Sequence, residues 1–277
     1  MATWFITGAS RGFGRQVALR ALSRGDQVVA TARNSEALSA IVDGAPDRVL
    51  AIELDVTRPE QVASAVSAAV EHFGRIDILF NNAGIGYFAG FEESEEHEIR
   101  RLMEINVFGL AAVTKAVLPQ MRKQRAGRIL NMSSVGGVRS FPSVSWYNAS
   151  KFAVEGLSEA LSLEAAPLGI HVTLIEPSAF ATDWAGNSAA EILEERRIAD
   201  YDATAGAQRH QFREGAGKEP GDPARAAVAI VDIAHDANPP LRLPLGNYAY
   251  DGTLEKLDAM RKEVEVREAV SRSADRP

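Results

Sequence analysis

The 277-residue chain contains no cysteine, which excludes disulfides, thiolate metal sites and a cysteine nucleophile. Its five histidines, His72, His97, His171, His210 and His235, form no HxxxH pair, so no metal site is expected. Basic residues number 30 against 37 acidic ones, and no basic run occurs. A net charge of −7 therefore argues against a nucleic-acid partner, because neutralising phosphates takes clustered cations. No stretch offers the roughly 18 uninterrupted apolar residues of a membrane span. Met1 to Gly8 reaches a turn glycine at once and leaves no room for a signal peptide, so a cytoplasmic protein without a membrane partner is expected.

What remains is ordinary globular composition, 46% hydrophobic and 24% charged. That suffices for one large α/β domain over residues 1–277, and neither a repeat nor an interdomain linker divides it. The apolar run Trp4 to Thr7 reads as a strand, followed by Gly8-Ala9-Ser10-Arg11-Gly12-Phe13-Gly14 and a helical pattern through Val17, Ala18, Ala21 and Leu22. Strand, glycine turn and helix together make a phosphate site. Gly8 allows the tight turn, Gly12 lets a pyrophosphate approach the amides at the helix start, and Gly14 lets the helix lie close to the sheet.

A second strand, Gln27 to Thr31, ends in Ala32-Arg33-Asn34, where a dinucleotide-binding fold usually places an acid on the adenosine ribose. Here Arg33 stands near that place and Arg11 lies in the glycine loop. Two guanidinium groups suit a 2′-phosphate, so NADP(H) is expected over NAD(H). Arg48 to Leu54 is a third strand, closed by Asp55-Val56-Thr57; Asp55 either holds adenine or caps its turn. Thr57-Arg58-Pro59-Glu60 fits a capping box ahead of a helix bearing Val62, Val66, Ala69, Val70 and Phe73. The fourth strand, Ile76 to Phe80, ends in Asn81-Asn82-Ala83-Gly84, a polar cluster suited to a wall beside a cofactor or to a turn.

Residues 94–118 read as one or two helices interrupted by Asn106, a poor helix former that marks a kink or an exposed polar position. The fifth strand, Gly127 to Met132, leads to Ser133-Ser134, 13 residues before Tyr147. Tyr147 and Lys151 are i and i+4 of a helical stretch and share a face, so phenol and amine can act as one acid/base unit.

In this order and at these separations, Thr7-Gly8-x-x-x-Gly12-x-Gly14, Asn81-Asn82-Ala83-Gly84, Asn106, Ser134 and Tyr147-x-x-x-Lys151 resemble the short-chain dehydrogenase/reductase family. The resemblance covers residues 3 to about 250. It implies a Rossmann-type doubly wound parallel sheet of seven strands, order 3-2-1-4-5-6-7, with helices on both faces. It also implies NADP(H)-linked interconversion of a carbonyl and an alcohol, with Asn106, Ser134, Tyr147 and Lys151 as the catalytic set. Tyr147 would exchange the proton, Lys151 would favour the phenolate and hold the nicotinamide ribose, Ser134 would bind the substrate oxygen, and Asn106 would support a water-linked proton path.

Cofactor contacts are expected from Gly8, Ser10, Arg11, Gly12, Phe13, Gly14, Arg33, Asp55, Val56, Asn82, Ala83, Gly84, Tyr147, Lys151, Pro177, Phe180 and Thr182. Where the family often has Pro-Gly the chain has Pro177-Ser178, whose Cβ restricts that loop. The opening Trp4 to Gly14 and Ala30-Thr31-Ala32-Arg33 resemble the branch with hydroxysteroid and retinol dehydrogenase-like enzymes. In that family the helix matching Tyr147 to Ala166 commonly packs against its copy in another subunit, so the resemblance implies a homodimer or homotetramer; packing within its own core is the alternative.

Residues 184–220 read as a substrate lid with a helix near Glu191 to Ala199, followed by a helix opened by Asp222-Pro223 and a last strand, Leu241 to Leu245. A charged helix over 252–270 and a disordered tail over 271–277 complete the chain. Ile85, Tyr87, Phe88, Val135, Phe141, Phe180 and Trp184 are candidates for an apolar substrate wall, suiting a hydrophobic ketone, aldehyde or secondary alcohol. The alternatives are an NAD(H)-dependent member of the family and a nonenzymatic NADP(H)-sensing scaffold.

Overall fold

The computed structural model describes residues 1–186 and 188–276. Seven parallel strands build the central sheet: β1 (Thr3–Ile6), β2 (Gln27–Ala32), β3 (Val49–Glu53), β4 (Ile78–Asn81), β6 (Gly127–Met132), β7 (Ile170–Pro177) and β9 (Arg242–Leu245). Their order is β3-β2-β1-β4-β6-β7-β9, the expected doubly wound arrangement. Two short strands, β5 (Gly86–Phe88) and β8 (Ala189–Glu191), pair with each other outside it.

The central strands read as unbroken apolar runs because both faces are covered. Along β1, Trp4 and Ile6 join one core layer with Val17, Ala18 and Ala21 of helix α1 (Gly12–Ser23) and Ile230 and Val231 of helix α8 (Pro223–Ala234). Phe5 points the other way, into a layer with Val62 and Val66 of α3 (Pro59–Phe73) and Val113 and Val117 of α5 (Leu110–Gln124). This is the two-residue strand period setting which side chains meet which helices. The remaining helices are α2 (Ser39–Gly44), α4 (Glu96–Met103), α6 (Ser145–Ala165), α7 (Ala207–Glu214), α9 (Asn247–Glu265) and α10 (Glu268–Arg272).

Helices α4 and α5 run on through one π-helical turn, Glu104–Gly109, with Asn106 inside it, so the suspected kink is an inserted wide turn. By length and composition the continuous segment Glu96–Gln124 could cross a bilayer, which the sequence reading did not anticipate. Leu102, Val113, Val117 and Met121 of this rod are nevertheless buried in the protein, so it serves as a core helix.

Four local expectations are corrected. Thr57 does not cap α3; its amide and hydroxyl both donate to Asp55 Oδ1, at 2.9 and 2.8 Å, and Arg58 takes the N-cap position without a side-chain bond. No α-helix forms over Glu191–Ala199, where β8 is followed by short 3₁₀ turns, and the helix of this region is α7. The terminal helix starts earlier, at Asn247, and breaks after Glu265. Ser271 and Arg272, expected in a disordered tail, close α10, while Pro277 lies outside the described residues.

Candidate active site

The strand order reverses between β1 and β4, and the carboxyl ends of the strands beside that point open into a cavity of about 900 Å³. The turn after β1 holds Gly8 at φ 67° and Gly12 at φ 52°, left-handed conformations that glycine adopts without a Cβ penalty. Arg11 is the N-cap of α1 and makes no side-chain cap bond. The first amides of α1 have no partner within the helix, and with its dipole they suit a pyrophosphate.

Asn82 ties this turn to β4. Its Nδ2 donates to Thr7 O at 2.9 Å and to Gly8 O at 3.0 Å, while Thr7 Oγ1 accepts from the amides of Asn82 and Ala83. A Cβ on Gly14 would stand 2.3 Å from Gly8 O. Gly14 therefore acts as a spacer that lets α1 approach the turn, and it does not line the cavity.

Every other expected cofactor contact does line it: Gly8, Ser10, Arg11, Gly12, Phe13, Arg33, Asp55, Val56, Asn82, Ala83, Gly84, Tyr147, Lys151, Pro177, Phe180 and Thr182. Asp55 also caps its own turn through Thr57. Burial works to raise its pKa, but the Thr57 bonds and the Arg33 and Arg58 charges outweigh this and hold the carboxyl below its usual range. Arg11 is 4.0 Å from Asp183 in an exposed pair, whereas Arg33 has no carboxylate within that distance among the described residues. Ser178 is not left-handed, so its Cβ strains nothing, and its hydroxyl donates to Leu245 O at 3.3 Å.

At the other end of the cavity Ser134, Tyr147 and Lys151 come together. Ser134 Oγ accepts from the Gly136 amide at 3.0 Å, so its own proton can be donated, to the Tyr147 phenol or to a substrate oxygen. Lys151 Nζ donates to Met132 O at 2.8 Å and lies 5.6 Å from the centre of the Tyr147 ring. Burial pushes the Tyr147 phenol up to about 12, against a smaller lowering by the Ser134 hydroxyl. Without bound cofactor the phenol therefore keeps its proton at neutral pH. Burial likewise pushes the Lys151 amine down to about 8, opposed by the Glu155 charge.

Asn106 stands behind this group rather than on the cavity wall. Its Oδ1 accepts from Ile85 N at 2.9 Å, and its Nδ2 donates to Ile85 O and to Ser150 Oγ at 3.0 and 3.2 Å. The side chain is thus committed to holding the loop after β4 against α6.

Ile85, Val135, Phe141, Phe180 and Trp184 line the cavity as expected, joined by Val144 and by Gln208, Gln211 and Phe212 of α7. Trp184 lies against Tyr147, with ring centres 4.9 Å apart. Tyr87 and Phe88 do not line the cavity; they are core residues on β5. The segment carrying α7 is tied down by Glu93, which accepts from Ile198 N at 2.9 Å, and by Arg213, whose Nε donates to Glu191 at 2.7 Å. These partners are far apart in sequence, and no local pattern announced them.

A family model described as short chain dehydrogenase matches residues 2–192. The chain belongs to the short-chain dehydrogenase family. Within this family, an oxidoreductase, BOA17, of Botryotinia fuckeliana is 40% identical over 245 residues, 88% of each chain. A 3-ketodihydrosphingosine reductase of Bacteroides thetaiotaomicron is 39% identical over 243 residues, 87% of this chain and 86% of its own. A short-chain dehydrogenase from Streptomyces avermitilis superposes with a TM-score of 0.92 at 43% identity, covering 99% of this chain and 100% of its own. A Burkholderia phymatum member in complex with NAD has a TM-score of 0.81 at 26% identity, with 96% and 95% covered. An alcohol dehydrogenase from Thermococcus sibiricus complexed with 5-hydroxy-NADP has a TM-score of 0.72 at 26% identity, with 88% and 96% covered. The chain is accordingly an oxidoreductase of a family that uses nicotinamide cofactors, and both cofactors occur among its structural neighbours.

Proposed function

We propose that this short-chain dehydrogenase transfers hydride between NADP(H) and a hydrophobic ketone, aldehyde or secondary alcohol. The observation that carries the reading is the meeting of Ser134, Tyr147 and Lys151 at one end of a cavity whose other end is walled by the α1 turn and Arg33. A bound dinucleotide supplies the hydride. Gly8, Gly12 and the α1 amides would hold its pyrophosphate, and Arg33 would meet a 2′-phosphate with Arg11 beside it. In the reductive direction the Ser134 hydroxyl orients the substrate oxygen, Tyr147 gives it a proton, and the Lys151 ammonium stabilises the phenolate left behind. Asn106 positions this group through Ile85 and Ser150.

Val135, Phe141, Val144, Trp184 and Phe212 favour an apolar substrate body, and residues 184–220 form its lid. The resemblance to hydroxysteroid and retinol dehydrogenase-like enzymes and the reductase name of the Bacteroides relative point the same way. A homodimer or homotetramer is part of this reading, supported by exposed Phe152, Leu157 and Leu163 on α6. So is a cytoplasmic location without a membrane or nucleic-acid partner.

The test is a panel of ketones, aldehydes and secondary alcohols followed by absorbance of the reduced nicotinamide. Turnover of apolar members with NADPH or NADP⁺ is expected. Cofactor binding without turnover of any member would instead favour a nonenzymatic NADP(H) sensor.

A further inference from the structure

Lys151 and Glu155 stand one turn apart on the same face of α6. Their side chains grasp consecutive residues at the end of β6. Lys151 Nζ donates to Met132 O at 2.8 Å, and the Ser133 hydroxyl donates to Glu155 Oε1. The next residue is Ser134. Gly137 makes room for this double tie, since a Cβ there would stand 2.7 Å from Ser133 Oγ and 3.1 Å from Glu155 Cγ.

The charges around the tie come from three elements. Glu155 Oε2 accepts from Arg242 Nε of β9 at 3.2 Å, and Arg242 Nη2 also reaches Glu159 of α6 at 2.6 Å. Glu176 of β7 is fully buried; among the described residues its carboxylate oxygens have no hydrogen-bond partner, and the cation beside it is Arg242, with Nε at 3.6 Å. Two buried carboxyls sharing one guanidinium do not both ionise readily. Burial raises the Glu155 carboxyl above its usual range against the pull of Ser133, Arg242 and Lys151. But Glu155 has two donors and Glu176 none, so of the two Glu155 carries the charge. Glu176 keeps its proton, pushed up to about 8 by burial and the Glu155 charge against the pull of Arg242.

We propose that Glu155 is a positioning residue of the proton-handling site. It holds the end of β6 in place ahead of Ser134 through Ser133, and its carboxylate, one turn along the same face of α6, supplies a counter-charge to Lys151. This rests on the roles given above to Ser134 and Lys151.

Two variants separate the functions: Glu155→Gln keeps an acceptor for Ser133 but removes the charge, and Ser133→Ala keeps the charge but removes the tie. The Lys151 titration is followed by NMR in chain carrying ¹³Cε-lysine, the resonance being assigned by its loss in Lys151→Met. Glu155→Gln is expected to lower the Lys151 midpoint by about one pH unit, the size of a single nearby charge. Ser133→Ala should leave that midpoint in place. With a carbonyl compound reduced by the wild-type chain, Ser133→Ala should lower kcat about ten- to a hundredfold through misplacement of Ser134, with the NADPH Kd unchanged.

An unmoved Lys151 midpoint in Glu155→Gln overturns the electrostatic role, and a wild-type kcat in Ser133→Ala overturns the tie. If no panel member is turned over, the functional reading fails, while the NMR titration still decides the effect of Glu155 on Lys151.

Discussion

Replacing Arg33 by alanine is the most direct test of cofactor choice. Arg33 follows β2 at the cavity wall, and its charge helps hold Asp55 below the usual carboxylate range, so it already acts on this end of the site. Among the described residues it has no salt-bridge partner, and its guanidinium can turn to a phosphate without first breaking an ion pair. A hydrogen bond to a charged group contributes about 1.5–3 kcal/mol net. Losing one such contact to the 2′-phosphate should therefore weaken NADPH binding about 10- to 150-fold. NADH lacks that phosphate and should lose less than about twofold, the scale of an exposed charge change. Arg11, already drawn to Asp183 by an exposed contact, should matter less when replaced alone. Calorimetric titration of the wild type, Arg33→Ala and Arg11→Ala with both cofactors reads these ratios directly. Added salt should weaken the NADPH preference of the wild type, because the clamp lies at an exposed rim. An NADPH-to-NADH affinity ratio that Arg33→Ala leaves unchanged would falsify the clamp and favour an NAD-using enzyme.

Three further outcomes follow from the same geometry. Tyr147→Phe keeps the ring packed on Trp184 but removes the proton, so the NADPH Kd should hold while kcat falls by about 10²–10⁴-fold; retained turnover would remove Tyr147 from the chemistry. Gly14→Ala puts a methyl 2.3 Å from Gly8 O, and the turn must shift; a stability loss of about 1–3 kcal/mol with weaker cofactor binding should appear in thermal melts and titrations. Glu176, with its pKa raised from 4.5 to about 8, costs stability increasingly as pH rises from about 4.5 to 8, because the unfolded chain gives up the proton first. Glu176→Gln should flatten that fall and stabilise the fold at pH 8, by at most ~5 kcal/mol, whereas parallel denaturation curves for both proteins across this range would contradict a buried neutral carboxyl.

Much of this protein was determined by local sequence. Both faces of the central sheet are covered, so strand identity reduces to short apolar runs, and these were legible at all seven strands. The glycine turn, Asn82, Ser134 and the Tyr147–Lys151 spacing were legible because each does its work within one turn or at one strand end. Expectations failed where several local partners compete for the same atoms. Thr57 had a plausible cap to make at α3 and bonds Asp55 instead. The helix expected over Glu191–Ala199 does not form because β8 exists by pairing with β5, about a hundred residues earlier, a contact that helical periodicity cannot express.

Only the tertiary structure decided what surrounds the reacting groups. It commits the Asn106 side chain to Ile85 and Ser150, brings Gln208 and Phe212 of α7 to the cavity wall, and buries Glu155 and Glu176 against Arg242. Those carboxyls lie on a helix and a strand and their guanidinium on another strand, so nothing in their own neighbourhoods marks them. Motif spacing determines which side chains can meet along one element; charge, burial and pKa depend on what the other elements bring to the same few ångströms, and that is settled only when the chain is folded.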